Sequence, residues 1–124
     1  MEKTTRVKAK VLVIDDEGDL SELLQIALNS DYTIEAIEDG RDALTKLGEF
    51  HPDLVVTDNY VPLQDGFDLI DEIRKVSQVP VIVVSETSLG RKMSFFEKKG
   101  VAAVMVKPFT LKDLKSKVKE ALEG

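Results

Sequence analysis

The sequence predicts a doubly wound α/β domain, in which five parallel strands form one sheet with five helices on its two faces. Two features support this fold class. Short runs of β-branched and aliphatic residues recur along the chain, and segments with amphipathic helical spacing lie between them. Such alternation requires parallel pairing with right-handed crossovers. With 124 residues, 43% of them hydrophobic, we expect a single domain over residues 1–124, of which residues 1–6 are loosely ordered.

The strands are predicted from short apolar runs. Four runs lack polar alternation, which is typical of strands buried on both faces of a parallel sheet. They cover residues 11–14, 54–57, 81–84 and 102–106. Residues 32–37 alternate more between polar and apolar side chains, so we expect this strand nearer an edge of the sheet.

Helical spacing of apolar residues lies between the strands, most clearly over 20–28 and 111–122. Each of these two helices has a predicted cap followed by an acidic residue, namely Asp19 with Glu22 and Thr110 with Asp113. Weaker helices are predicted over 41–48, 67–75 and 88–99. Gly48 and Gly100 are the expected helix stops, because glycine readily adopts the left-handed conformation that ends a helix.

The composition excludes several kinds of site. The chain has no cysteine, so it forms neither disulfides nor thiolate metal sites. His51 is its single histidine, which leaves no partner for a histidine zinc cluster and no usual Ser-His-Asp triad. No apolar run approaches the length of a membrane span, so we expect a cytoplasmic protein that does not contact a membrane.

Charge is distributed unevenly along the chain. The net charge of −6 argues against direct binding of nucleic acid, whose phosphates attract basic surfaces. Residues 1–86 carry 8 Lys/Arg and 19 Asp/Glu, whereas residues 87–124 carry 9 and 4. The C-terminal third is therefore either a docking surface for an acidic partner or a pair of helices with solvated lysines.

Polar residues follow four of the predicted strands at the points where the strands end. They are Asp15, Asp16 and Glu17 after the first strand, Asp58 after the third, Ser85 after the fourth and Lys107 after the fifth. In open α/β sheets, ligands bind outside the carboxyl ends of the strands. We therefore expect carboxylates, a hydroxyl and an ammonium group at one edge of the sheet.

This combination of side chains is typical of a site that handles a phosphoryl group. Clustered carboxylates repel one another, and Mg²⁺ relieves that repulsion because it prefers oxygen ligands. Lys107 and Ser85 would supply a positive charge and a hydroxyl donor for phosphoryl oxygens. An aspartate carboxylate can itself attack phosphorus and form an aspartyl phosphate.

The segments 11–17, 58–66 and 107–109, together with Ser85 after its valine-rich strand, resemble the receiver domains of two-component response regulators. The resemblance runs from about Lys10 to Glu123, which is nearly the whole chain. It implies a flavodoxin-like sheet with the strand order 2-1-3-4-5. It also implies that Asp58 accepts a phosphoryl group from a sensor histidine kinase, a phosphotransfer protein or a small phosphodonor. Such a domain is not a metabolic enzyme, since it catalyses only its own phosphorylation and dephosphorylation.

The resemblance implies roles for the residues around the acceptor as well. Mg²⁺ would be bound by three carboxylates and one main-chain carbonyl, those of Asp15, Asp16, Asp58 and Tyr60. Ser85 and Lys107 would contact the phosphoryl group, with Lys107-Pro108 in the cis form. A downstream protein would dock on the face formed by the helix over 88–99, the fifth strand and the C-terminal helix. A homodimer that forms on phosphorylation is a further option.

Three positions depart from the family pattern. Glu86 stands where a small residue usually follows the serine or threonine of the fourth strand, and Val104 stands where an aromatic residue is common. Tyr60 is bulky for its position two residues after the acceptor. These departures leave open a degenerate receiver, which keeps the fold and acts by phosphorylation-independent protein contacts.

Two other classes of protein fit the architecture less well. A magnesium phosphohydrolase would need a second acid two residues after its nucleophile, where this chain has Tyr60. A flavin-binding protein would need a first loop rich in Ser, Thr and Gly. Residues 15–19 are acidic instead and would repel a phosphate that had no metal.

Overall fold

A single parallel sheet of five strands organises the chain. In the computed structural model, which describes residues 8–15, 18–28, 31–58, 69–85 and 100–123, the strands follow one another in the order β2-β1-β3-β4-β5. Their bounds are β1 Lys10–Ile14, β2 Thr33–Ile37, β3 Leu54–Asp58, β4 Val81–Ser85 and β5 Ala103–Val106. Every neighbouring pair is parallel. The predicted doubly wound class and the flavodoxin-like strand order are both confirmed.

Four α-helices and a short 3₁₀ helix lie within the described ranges. The α-helices are α1 Asp19–Leu28, α2 Ala43–Phe50, α3 Leu69–Val76 and α4 Leu111–Glu123, and the 3₁₀ helix covers Gly40–Asp42. The helix predicted over 88–99 and the loosely ordered start predicted over 1–6 lie outside those ranges. Of the helices in the described ranges, none is both long and apolar enough to cross a membrane.

Helices cover both faces of the sheet, which is why the interior positions of its central strands are apolar. Successive side chains of a strand point to opposite faces, so the strands feed two separate cores. On one face, which we call the α2/α3 face, the core includes Leu12, Ile14, Leu47 and Ile73. On the other, the α1/α4 face, it includes Val11, Val13, Leu24 and Leu114. β2 is only partly buried, as predicted for a strand at the edge.

One of the two predicted caps is confirmed and the other is wrong. At the start of α4, the Asp113 N–H donates to Thr110 Oγ1 at 3.0 Å and the Thr110 N–H donates to Asp113 Oδ2 at 3.4 Å, which is a capping box. At the start of α1, Asp19 lies inside the first turn instead of preceding it. Among the described residues, Asp15 supplies a carboxylate that accepts an N–H of this turn.

The prediction that Gly48 stops a helix is wrong as well. α2 continues through Gly48 to Phe50 and ends at His51, which adopts the left-handed conformation with φ 52° and donates its N–H to the Leu47 carbonyl at 3.1 Å. The Lys10 ammonium group binds the Phe50 carbonyl at 3.1 Å and lies over the Phe50 ring. A tertiary contact therefore supports the last turn of the helix. Gly100 has φ 71°, as expected of a glycine that follows a helix.

Hydrogen bonds from side chains close the edge of the sheet where the strands begin, which we call the amino edge. Asp53 accepts the Lys10 N–H at 2.8 Å and returns its own N–H to the Lys10 carbonyl at 2.8 Å. The Arg74 guanidinium group donates to the main-chain carbonyls of Ser77, Val79 and Gly100 at 3.3, 2.7 and 3.2 Å. These bonds tie the segments that lead into β3, β4 and β5.

Replacing Gly48 by alanine should stabilise the protein. Gly48 lies within α2, and a Cβ added there would meet nothing within 4 Å. Because alanine favours the helix over glycine, we expect the free energy of unfolding to rise by about 0.5–1 kcal/mol in urea titrations. Gly100→Ala is the matched control, and it should lower the free energy of unfolding by about 1 kcal/mol because of the positive φ there. Equal effects of the two substitutions would contradict this account.

Candidate functional site

Two carboxylates end adjacent strands at the same level of the sheet. Ile14 of β1 pairs with Thr57 of β3, so the residues that follow them lie side by side, Asp15 directly after β1 and Asp58 at the end of β3. Val13 belongs to the core of the α1/α4 face, and alternation along β1 therefore carries Asp15 to that same face. In β3, Val56 belongs to the same core, so alternation along that strand carries Asp58 to the α1/α4 face as well. The structure thus brings together two of the carboxylates that the sequence singled out.

Ser85 and Lys107 end the next two strands. Ser85 pairs with Val106, and the Lys107 N–H donates to the Ser85 carbonyl oxygen at 2.7 Å, which extends the ladder between β4 and β5. Lys107 lies two residues after Met105, a member of the α1/α4 core, whereas Ser85 directly follows Val84 of that core. Alternation therefore carries Lys107 towards the two carboxylates and Ser85 towards the opposite face. The Lys107-Pro108 bond is cis, as expected.

Asp15 is the most deeply buried of the described acidic side chains at this edge. It is 2% exposed, and its Oδ2 accepts the Leu20 N–H at 2.6 Å. Its own N–H donates to the Ile37 carbonyl of β2 at 3.0 Å, so its main chain is fixed by the sheet. Both ends of this residue are therefore held by hydrogen bonds to neighbouring elements.

Asp58 and Lys107 are half-buried, whereas Ser85 is only 1% exposed. A half-buried carboxylate can be reached from solvent, as an acceptor of a chemical group must be. Thr57, which the sequence suggested only as part of a strand, is also buried, and its hydroxyl donates to the Asp58 carbonyl at 3.0 Å. A polar residue at the end of an otherwise apolar strand was the available signal for this contact with the main chain of Asp58.

The side chains at this edge suit a hard cation that prefers oxygen. Asp15 and Asp58 supply carboxylate oxygens that Mg²⁺ accepts readily. The other two predicted ligands, Asp16 and Tyr60, lie outside the described residues. Among the described ranges alone, no three His, Asp or Glu side chains cluster closely enough to hold a metal ion. The donor chemistry therefore fits Mg²⁺, with part of the predicted ligand set in residues 16 and 60.

Of the three positions that depart from the family pattern, the structure describes Val104. Val104 lies in β5 and packs, partly buried, against the core of the α2/α3 face. An aliphatic side chain thus fills a place in the core at the position where an aromatic one is common. Glu86 and Tyr60 lie outside the described residues.

The described part of the expected docking face is mixed in chemistry. On α4, Lys117 approaches Glu120 at 3.8 Å and Lys119 approaches Glu123 at 4.0 Å, so two of its lysines already have acidic neighbours. Val106 of β5 and Leu111 at the start of α4 leave 42% and 43% of their surfaces exposed. The described residues therefore combine apolar and charged surface rather than forming a uniformly basic patch.

Comparison with known proteins gives consistent matches. The family model for the response regulator receiver domain matches residues 11–119. The chain is 35% identical over 117 residues to a probable transcriptional regulator, ycf27, of Porphyridium aerugineum, with 93% of this chain and 48% of that protein covered. It is 31% identical over 117 residues to the DNA-binding response regulator MtrA of Mycobacterium leprae, with 94% and 52% covered. The chain thus spans about half the length of these curated relatives.

A solved structure gives the same picture of the fold. The chemotaxis response regulator CheY4 of Vibrio cholerae matches with a TM-score of 0.82 and 26% sequence identity. The match covers 94% of this chain and 100% of that one. The similarity in fold therefore extends over nearly the whole chain.

Proposed function

This chain belongs to the response regulator receiver domain family, and from that premise we propose that it is a phosphorylation switch whose acceptor is Asp58. The observation that carries the proposal is the register of the sheet. It sets Asp15 beside Asp58 and carries Lys107, two strands away from Asp58, to the same face, so that a partly exposed carboxylate shares its edge and face of the sheet with a second carboxylate and a lysine. This is the combination that phosphoryl transfer to a carboxylate requires.

In the proposed reaction, a carboxylate oxygen of Asp58 attacks the phosphorus atom of the donor. A P–O bond to Asp58 forms while the P–N bond of a phosphohistidine, or the P–O bond of a small acyl phosphate, breaks. The leaving group departs with the electron pair of the broken bond. Lys107 offsets charge on one phosphoryl oxygen. The Ser85 hydroxyl would donate to another by turning across the end of β4, because alternation along the strand directs it to the opposite face. Because the half-buried acceptor is accessible, the donor can approach from solvent.

Mg²⁺ would be held by the carboxylates of Asp15, Asp16 and Asp58 and by the main-chain carbonyl of Tyr60. When bound, it would neutralise the charge that the carboxylates and the incoming phosphoryl group bring together. The protein's own part is to hold the oxygen donors in register, which the pairing of β1 with β3 does for Asp15 and Asp58.

The partners proposed for this domain follow from its family. A sensor histidine kinase or a phosphotransfer protein would supply the phosphoryl group. A downstream protein would then bind the face formed by β5, α4 and residues 88–99, whose described part exposes Val106 and Leu111 beside charged residues. Because the chain carries a net charge of −6, we do not propose that this domain contacts nucleic acid directly. Homodimerisation on phosphorylation belongs to the same proposal.

Incubation with acetyl phosphate tests the acceptor directly. We expect the intact mass to rise by one phosphoryl group when Mg²⁺ is present and not when it is chelated. Asp58→Ala should abolish the gain. Asp53→Ala is the matched control, since Asp53 precedes the same strand at its opposite end, and it should keep the gain. If the folded native chain gains no mass, the proposal fails and a degenerate receiver is the remaining interpretation.

Mg²⁺ should also stabilise the folded protein. A ligand that binds only the folded state raises the free energy of unfolding by about 2.7 kcal/mol when its concentration is 100 times its dissociation constant. We expect Mg²⁺ to shift the urea midpoint of the native chain upward, and the shift to shrink in Asp58→Ala, because a ligand has been removed. An equal shift in both chains would show that Mg²⁺ binds elsewhere.

A further inference from the structure

The contact between Asp15 and the start of α1 has a role that the proposed chemistry does not use. Asp15 Oδ2 lies 2.6 Å from the Leu20 nitrogen, at the short end of hydrogen-bond distances, and the side chain is 98% removed from solvent. A carboxylate that accepts an N–H away from water makes one of the stronger hydrogen bonds available to a protein. The bond is therefore a substantial link between the end of β1 and the helix.

The position of this bond at a helix start adds to its strength. The first N–H groups of a helix have no partner within the helix, and its dipole favours a negative charge there. The rest of the first turn is built on Gly18, whose carbonyl accepts the Glu22 N–H at 3.0 Å and the Ser21 hydroxyl at 2.9 Å. Asp15 links this turn to β1, because its carboxylate accepts the N–H of Leu20, five residues further along the chain. Asp15 therefore acts as a cap of α1 from outside the helix.

We propose that Asp15 is a positioning residue that ties the first turn of α1 to the end of β1 and thereby sets the geometry of the metal site. The tie joins residues on either side of Asp16 and Glu17 in the sequence, and Asp16 is one of the proposed Mg²⁺ ligands. This consequence rests on the proposed function, whereas the tie itself does not. Asp15 thus contributes to Mg²⁺ binding through the helix as well as through its charge.

Two substitutions at this position separate the tie from the charge. Asparagine keeps an oxygen that caps a helix about as well as aspartate does, but it carries no charge, whereas alanine removes both. Asp53→Ala is the matched control, because Asp53 Oδ2 also accepts a main-chain N–H, that of Lys10 at 2.8 Å, but at the opposite end of β1. This control variant shows the effect of losing a carboxylate-to-main-chain hydrogen bond far from the proposed metal site.

The first measurement is amide hydrogen exchange of the metal-free protein, with the His51 amide of α2 as the internal reference. In Asp15→Ala the Leu20 amide should exchange about 5- to 30-fold faster, the factor that corresponds to the loss of a cap. In Asp15→Asn and in Asp53→Ala it should stay close to the native rate. Unchanged Leu20 exchange in Asp15→Ala would overturn the proposal, whether or not the protein is phosphorylated.

The second measurement is the Mg²⁺ concentration that gives half-maximal phosphorylation by acetyl phosphate. A positioning role predicts that Asp15→Ala needs several times more Mg²⁺ than Asp15→Asn does, and that this partial rescue by asparagine goes with a native Leu20 exchange rate. Rescue without native Leu20 exchange would mean that the asparagine oxygen acts only as an Mg²⁺ ligand, and it would overturn the positioning role. Equal requirements of the two variants would mean that Asp15 acts through its charge alone and would overturn the positioning role. If the native chain is not phosphorylated at all, the proposed function fails and the role in the metal site fails with it, while the exchange result still decides the tie.

Discussion

Parallel pairing of the strands is the constraint on which the rest of this molecule depends. Because every strand runs in the same direction, the residues at the ends of β1, β3, β4 and β5 lie along one edge of the sheet. The pairing of Ile14 with Thr57 fixes the level of the two carboxylates, and the bond from Lys107 to Ser85 fixes the last pair of strands. A shift of one residue would send any of these side chains to the other face.

The same sheet explains why the polar residues lie at the strand ends. Helices cover both faces, so an interior position on β1, β3 or β4 must hold an apolar side chain or find a buried partner for a polar one. At the strand ends this demand is either met or relaxed: Asp15 is buried and bonded to the Leu20 N–H, whereas Asp58 and Lys107 are only half-buried. Chemistry is therefore confined to a line of residues at the edge, and Thr57 marks the boundary, since it is buried and its hydroxyl bonds to the next carbonyl.

The sequence predicted the sheet well, and the observed strand bounds differ from the predicted ones by about one residue. Short continuous runs of valine, leucine and isoleucine are typical of strands that are buried on both faces of a parallel sheet. It failed where tertiary contacts outweigh local signals. Gly48 looked like a stop, yet α2 runs on to Phe50, whose carbonyl is held by Lys10. Asp19 looked like a cap, but Asp15 accepts the helix N–H because the fold brings the end of β1 to it. No local pattern encodes either contact.

The hydrogen bonds at the amino edge have a biological consequence. Asp53, Lys10 and Arg74 close the loops there with partners that the protein itself supplies, far along the strands from the proposed acceptor. Folding is thus supported at one edge, while the proposed phosphorylation takes place at the other. On the proposed function, a chain that had lost Asp58 would still fold and would still be bound by its kinase. In a cell it would act as an inert competitor that occupies the kinase without accepting the phosphoryl group.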